Sequence, residues 1–273
     1  MTRNYHTDYE YLNHSILRTS AKSLARYHGI ITGEIPPTKS TPDMITGQIV
    51  HQLVLEPDKL DENFLVADLN SRRGKNWEAV VYDAEQEGLT PVLRKQVIEA
   101  AAMRDALEAS EVGRFYFSDE HSGVERIHET AVYCEIDGVK RKAKPDVALI
   151  GNGTAILADL KTTVDPTKYA FGNSAAKFGY HTQAAYYTDV FSVAHNILAE
   201  SIRFVIIAID KEEPYDIYPM RVTPDQIEAG RRINNERIAR IKECRESGVW
   251  LAPEQQVTTD LWMPSYATKG EDE

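Results

Sequence analysis

Asp146, Asp159 and Lys161 are the residues of this chain best suited to hold a divalent ion beside a reacting water. Asn152-Gly153 lies between two apolar runs, Val147 to Ile150 and Ala155 to Leu157. An Asn-Gly pair accepts positive φ at both central positions and so favours a tight type I′ hairpin. With a two-residue turn the strands pair symmetrically. Gly151 faces Thr154, Ile150 faces Ala155, Leu149 faces Ile156, and counting outward Asp146 faces Asp159. Facing Cβ atoms lie roughly 4.5–5.5 Å apart in an antiparallel pair. Carboxylates that close repel unless a proton or a cation joins them, and hard oxygen donors at that spacing suit Mg²⁺ or Mn²⁺. Side chains alternate along a strand, so Lys161 shares the face of Asp159 and Leu160 points away. An ammonium there can orient a water, lower its pKa or stabilise charge developing on a phosphate. Asp-x-Lys by itself is commonly a solvated strand edge; the register with a second aspartate is what gives it weight, and a longer loop or a bulge would break that register.

The rest of the chain must supply the frame. It has 273 residues, 42% of them apolar, enough for one large domain with a proper core. No run of about 18 apolar residues is present, and the opening MTRNYHTDYEYLNHS lacks the apolar stretch of a signal peptide. The two cysteines, Cys134 and Cys244, argue for a reducing cytoplasm and exclude a four-cysteine zinc or iron–sulfur site. A net charge of −11 argues against a protein that coats nucleic acid non-specifically. It leaves room for a nuclease, whose clustered carboxylates are partly neutralised by metal. Basic residues concentrate at Arg72-Arg73-Gly74-Lys75 and at Lys140-Arg141-Lys142-Ala143-Lys144.

Read in order, residues 1–18 are a polar and aromatic arm. Thr19 or Ser20 caps a helix that stops at Gly29, and GEIPPTKSTPD is a loop. A helix runs from about Asp43 to Glu56, with Gly47 and His51 one turn apart on one face; locally, His51 reads best as a half-buried histidine satisfied by a carbonyl. Residues 57–90 read as irregular, with SRRGKNW either a phosphate-contacting turn or solvated surface. Residues 91–110 read as a helix and 124–136 as a strand leading to an Asp137-Gly138 turn, so that residues 129–161 form a three-stranded antiparallel meander with Glu129 near the start of its first strand. Glu129 is either a third carboxylate of the site or a solvent-facing strand end. A polar segment follows Lys161. Then come a helix from about His181 to His195, a buried strand Ile202 to Ile209, an edge strand over 215–222 and a charged helix from Pro224 that stops at Gly248. Gln183 and Tyr187, four apart, share a face of their helix. Trp250 and Trp262 belong to a tail that packs back as a cover, and 265–273 is a flexible end. The whole reads as one α/β domain, residues 1–273, with a mixed central sheet and an antiparallel meander flanked by helices.

With these pieces placed, the chain resembles the PD-(D/E)XK nuclease superfamily: Pro145-Asp146 matches its first motif and Asp159-Leu160-Lys161 its second. Within it the chain looks most like the nuclease domain of RecE-type exonucleases, through GQIVHQLVLEP, FLVADLNSRR, KPDVALI, ADLKTT and YHTQAAYYTD in order. The resemblance implies that His51, Asp146, Asp159 and the Leu160 carbonyl are metal ligands, which overrides the local reading of His51. It further implies that Glu129 holds or activates water, that Lys161 activates the attacking water, and that Gln183 and Tyr187 orient the lysine and contact DNA. Arg72, Arg73, Lys142 and Lys144 are candidate DNA contacts, and Arg18, Arg26 and the Arg72-Arg73 pair are candidate anchors for a 5′ phosphate. The implied protein is a cytoplasmic, Mg²⁺-dependent exodeoxyribonuclease with two ions per site, in which Mn²⁺ can substitute. It digests duplex DNA from its ends 5′ to 3′ into mononucleotides, as a ring-shaped trimer or tetramer, beside a single-strand annealing recombinase. The competing readings are an endonuclease of the same superfamily and a catalytically inactive DNA-binding protein on the same fold.

Overall fold

The computed structural model describes residues 5, 8–36, 40–118, 124–251, 255, 258, 260, 261 and 263. In it Asn152 (φ 51°) and Gly153 (φ 72°) both adopt the left-handed backbone that a type I′ turn requires. The elements run in the order α1 (His14–Ser20), α2 (Leu24–Ile31), α3 (Pro42–Leu55), α4 (Leu60–Asn63), β1 (Phe64–Ala67), α5 (Lys75–Glu87), β2 (Thr90–Leu93), α6 (Arg94–Ala109) and α7 (Glu111–Phe117). They continue with β3 (Glu125–His128), β4 (Val132–Ile136), β5 (Val139–Ala143), β6 (Val147–Gly151), β7 (Thr154–Thr163), α8 (Lys168–Phe178), α9 (Tyr180–His195), β8 (Ile202–Asp210), β9 (Ile217–Val222) and α10 (Pro224–Ser247). Residues 1–14 and 38–234 form one compact unit, and 15–37 with 235–273 a second.

The first unit is built on a five-stranded sheet of order β3-β6-β7-β8-β9, in which only β7 and β8 run parallel. The β6–β7 hairpin keeps the expected register from Gly151–Thr154 out to Val147–Ala158. β8 is buried at every position but Arg203 and Asp210, as a central strand must be. Side-chain alternation along β7 then sorts the two layers. Ala158 and Leu160 pack with Ile45, Ile49 and Leu53 of α3 and with Met103 and Leu107 of α6. Ala155 and Leu157 pack with Phe171 of α8 and with Ala184, Ala185 and Phe191 of α9. The result is a mixed sheet between helical layers, the fold class the sequence predicts. In the second unit Ser23 caps α2 through the Arg26 amide, and the Trp250 ring stacks on His28 at 4.4 Å and tilts against Tyr27 at 5.8 Å.

Several local expectations are corrected. α1 begins within the stretch read as an arm and runs past it to Ser20, and the next helix opens at Leu24 behind Ser23 and runs past Gly29 to Ile31. The supposedly irregular 57–90 contains α4, β1 and α5, and β1 pairs in parallel with β2, at the head of the segment read as helix. Four-residue strands whose partner lies a helix away leave no periodicity to detect. α8 fills the polar stretch after Lys161. The meander is interrupted, because β4 and β5 form a separate two-stranded sheet while β3 pairs directly with β6. The break comes at Glu129, whose φ of 46° turns the chain out of the strand. Trp262 and residues 265–273 lie outside the described residues.

α9 is held against the sheet by α10. Asn234 Nδ2 donates to the Thr182 carbonyl at 2.7 Å, and Arg231 grips Asp189 with Nε at 2.9 Å and Nη2 at 2.8 Å from Oδ1. The helices approach so closely at Gly230 that an added Cβ would sit 2.2 Å from the His181 carbonyl oxygen. Alanine is the better helix former by about 1 kcal/mol, but the clash is with backbone, and overpacking costs about 1–3 kcal/mol. Gly230→Ala is therefore expected to destabilise the protein despite its gain in helix propensity, as a lower urea midpoint at unchanged m-value will show.

Candidate active site

β7 outruns its neighbour. β6 pairs with it only as far as Ala158, whereas β8 pairs along its other side through Thr163. On the β6 side the Leu160 N–H and C=O therefore have no strand to bond, and buried backbone groups must find partners. Asp146, in the bend that opens β6, accepts the Leu160 N–H on Oδ2 at 2.6 Å. His51 of α3 brings Nε2 to 2.6 Å from the Leu160 oxygen, with Nδ1 3.4 Å from Asp146 Oδ2. A carbonyl can only accept, so the ring carries its proton on Nε2 when nothing else fills that gap; a cation there takes the proton's place. The carbonyl that local reasoning gave His51 is thus that of Leu160. One turn before His51, Gly47 faces β7, where an added Cβ would lie 3.2 Å from Thr162 Oγ1.

The β3–β6 register, which pairs His128 with Val147, extends by one bond, from the Glu129 N–H to the Asp146 carbonyl at 3.1 Å. Glu129, Asp146 and Asp159 therefore follow one another across three neighbouring strands. Ligand atoms of His51, Glu129 and Asp146 lie within 4.8 Å of one another. Left-handed backbone at a residue that is not glycine costs of order 1–3 kcal/mol, and at Glu129 it turns the chain away while leaving the carboxylate at the cluster.

The electrostatics fit a divalent cation. Burial, and then the neighbouring Asp159, push Asp146 up to about 7, against the pull of Lys161 and of the Leu160 amide. Burial and Asp146 likewise raise Glu129, while Lys144, which ion-pairs with it, works the other way. Burial, then Lys161, depress His51 and keep its imidazole neutral. Burial pulls Lys161 down, but Asp159 and Asp146 outweigh it, so the residue stays an ammonium. Its Nζ ion-pairs with Asp159 Oδ2. Buried acids held above their usual range beside a neutral imidazole and a backbone carbonyl form a hard donor set that gains from a cation. From α9, Gln183 Nε2 donates to Asp159 Oδ1 at 2.7 Å. Tyr187 bonds to Gln183 and to Tyr5, and its hydroxyl is held well above the usual range by burial, then by Tyr5.

The candidate DNA contacts fare differently. Lys142 is wholly buried, its ammonium donating to the Asp8 carbonyl under the Tyr5 ring, so it is withdrawn from any surface. Lys144 belongs to the site through Glu129. Arg72 donates to Gln96 Oε1 at 2.6 Å and lies 5.5 Å from the Trp77 ring, tying its loop to α6; Arg73 is exposed. Arg18 and Arg26 lie in the second unit. Sequence reasoning did not single out Tyr180, whose ring lies 5.5 Å from Lys161 Nζ. A signal existed, since Tyr180, Gln183 and Tyr187 form an i, i+3, i+7 stripe. Tyr5, which reaches the site from the chain start, left none.

A family model described as a PDDEXK-like domain of unknown function matches residues 13–255. Among solved structures, a protein of Eubacterium rectale provisionally described as an exonuclease is 18% identical, with 97% of this chain and 96% of that chain covered at a TM-score of 0.61. At that identity the likeness bears on the fold. The structure of SSO0001 matches at 15% identity over 72% of this chain and 86% of that one, with a TM-score of 0.30 that supports no comparison. No curated protein matches the chain.

Because the folded pKa of Asp146 lies above its ordinary value of 3.8, at about 7, the metal-free fold loses stability as pH rises through that interval. The loss is on the order of a few kcal/mol. Asp146→Asn keeps an acceptor for the Leu160 amide and removes the charge. In chelator it should match the parent near pH 4 and melt higher than the parent at pH 8. Mn²⁺ should raise the parent's Tm more at pH 8 than at pH 5 and leave the variant's nearly unmoved, as read by scanning calorimetry.

Proposed function

The chain belongs to the PDDEXK-like domain family, and from that membership and its row of acids we propose that it is a divalent-metal-dependent nuclease that hydrolyses phosphodiesters in DNA. The observation that carries the proposal is the cluster of His51, Glu129 and Asp146, with ligand atoms within 4.8 Å of one another, beside an Asp159 whose charge helps push Asp146 up and which ion-pairs with Lys161. A bound Mg²⁺ or Mn²⁺ supplies Lewis acidity and a charge that offsets negative charge growing on phosphate. His51, Asp146, Asp159 and the Leu160 carbonyl would hold it, with Glu129 alongside for water or a second ion.

The protein's own groups do the rest. Gln183 fixes the Asp159 carboxylate and Tyr187 fixes Gln183, so that oxygen ligands are set before substrate arrives. Lys161 is kept charged and points into the same space, where it can orient the attacking water and neutralise a phosphate oxygen. Its ammonium is available to substrate to the extent that a cation relieves it of Asp159.

Within the nucleases, the RecE-like motif order supports an exodeoxyribonuclease that acts on duplex ends 5′ to 3′, releases mononucleotides and leaves a 3′ single strand for an annealing recombinase. The proposal takes residues 1–273 as a single nuclease domain, working in the cytoplasm as a ring-shaped trimer or tetramer. No helix among the described residues is long and apolar enough to cross a membrane.

Linear duplex labelled at either the 5′ or the 3′ end, incubated with Mg²⁺ or with chelator, tests the reading. The expected result is metal-dependent release of labelled mononucleotide from the 5′ end first, with a closed circle spared; cleavage of the circle would indicate an endonuclease. Lys161→Ala should lower the rate by at least about 10²–10³ while duplex binding persists. A variant as fast as the parent would remove Lys161 from the reaction.

A further inference from the structure

Alternate residues of the basic cluster at 140–144 grip the start of the chain. Lys140 ion-pairs with Glu10 at 2.5 Å, and the Lys142 ammonium donates to the Asp8 carbonyl. The main chain follows the same line. The Leu12 N–H donates to the Lys140 carbonyl at 3.0 Å, and the Lys142 N–H donates to the Leu12 carbonyl at 2.8 Å. From α9 the Tyr186 hydroxyl donates to that same carbonyl at 2.5 Å. The chain start is thereby tied to both β5 and α9, the helix that carries Gln183 and Tyr187.

What this delivers to the site is Tyr5. Its ring lies 4.9 Å from Lys142 Nζ and 5.8 Å from Lys144 Nζ, and its hydroxyl shares a hydrogen bond with that of Tyr187. Each contact leads to one end of the row of acids. Lys144 ion-pairs with Glu129. Tyr187 bonds to Gln183, whose Nε2 donates to Asp159 Oδ1 at 2.7 Å. One side chain thus reaches Glu129 through one intermediary and Asp159 through two, on either side of Asp146. A phenol hydroxyl both donates and accepts, so Tyr187 can serve Gln183 and Tyr5 at once, and bonds in such a chain strengthen one another. Groups behind a metal's ligands set the ligands' orientation, and losing one weakens metal binding although every ligand remains.

We propose that Tyr5 is a positioning residue of the metal site, holding Asp159 through Tyr187 and Gln183 and holding Glu129 through Lys144. The chain start is then a working part of the active site. This role rests on the metal site of the nuclease reading, and it holds whether or not DNA is cut there.

Mn²⁺ affinity is measured without DNA, from the electron paramagnetic resonance signal of the free ion. Tyr5→Phe keeps the ring beside both lysines and removes only the hydroxyl. It should weaken Mn²⁺ binding roughly two- to tenfold, the worth of one hydrogen bond, and melt close to the parent. Tyr187→Phe breaks the same bond from its other end, so adding Tyr5→Phe to it should cost little more; non-additive losses of this kind mark residues in one network. Tyr5→Leu, which also takes the ring from Lys144, should bind Mn²⁺ more weakly than Tyr5→Phe. In cleavage of linear duplex the Tyr5→Phe deficit should shrink as Mg²⁺ is raised, with KM for DNA unchanged. Equal Mn²⁺ affinity in parent and Tyr5→Phe, or losses that simply add in the double variant, would overturn the role even if the parent cleaves DNA. A coupled loss of Mn²⁺ affinity in a protein that never cuts DNA would support the role of Tyr5 and remove the nuclease reading instead.

Discussion

The molecule turns on a length mismatch between two strands. β7 runs on to Thr163 after β6 has given out beyond Ala158, and the main-chain groups of Leu160 are left facing away from β8 without a ladder. A strand would have satisfied them neutrally. Here a carboxylate takes the N–H and an imidazole takes the carbonyl, so the need to satisfy the backbone draws an acid and a histidine to one point. Everything else in the site is placed relative to that point: α3 through His51, with Gly47 facing β7 one turn before it, β3 through one last bond at Glu129, and α9 through Gln183.

Charge determines what that geometry can do. Three acids on successive strands are unfavourable together away from water, and the fold meets them with two ammonium groups, Lys161 on Asp159 and Lys144 on Glu129. Asp146, between them, ion-pairs with neither and is pushed up to about 7. A proton or a metal must supply the missing charge. Destabilisation of such a cluster without a cation is free energy that binding one would recover.

Much of this was legible in the sequence because it depends on short-range rules. Asn152-Gly153 fixed a two-residue turn, and from the turn the register out to Val147–Ala158 follows by counting; one step further, Asp146 takes the Leu160 amide instead of a strand pairing with Asp159. The helix read from about Asp43 to Glu56, found at Pro42–Leu55, and the buried strand from Ile202 followed from local composition. What was not legible depends on partners far apart in the chain. β1 and β2 are four residues each and take shape only against one another. Lys142 reads as one of a surface cluster, and it is buried because Asp8 and Tyr5 from the chain start close over it. The break between β3 and β4 rests on a single dihedral at Glu129, a residue type that gives no warning of it.

The part played by Leu160 has a consequence for how such a site drifts over time. Both of its polar contacts at the cluster are made by peptide atoms, and its side chain faces the opposite layer, among Ile49, Met103 and Leu107. The genetic code can therefore alter this position without touching its donor or its acceptor. Replacement by any residue that fills the same apolar volume leaves both contacts intact, so a survey of side chains, however complete, would not reveal that His51 and Asp146 are drawn together by the chain itself.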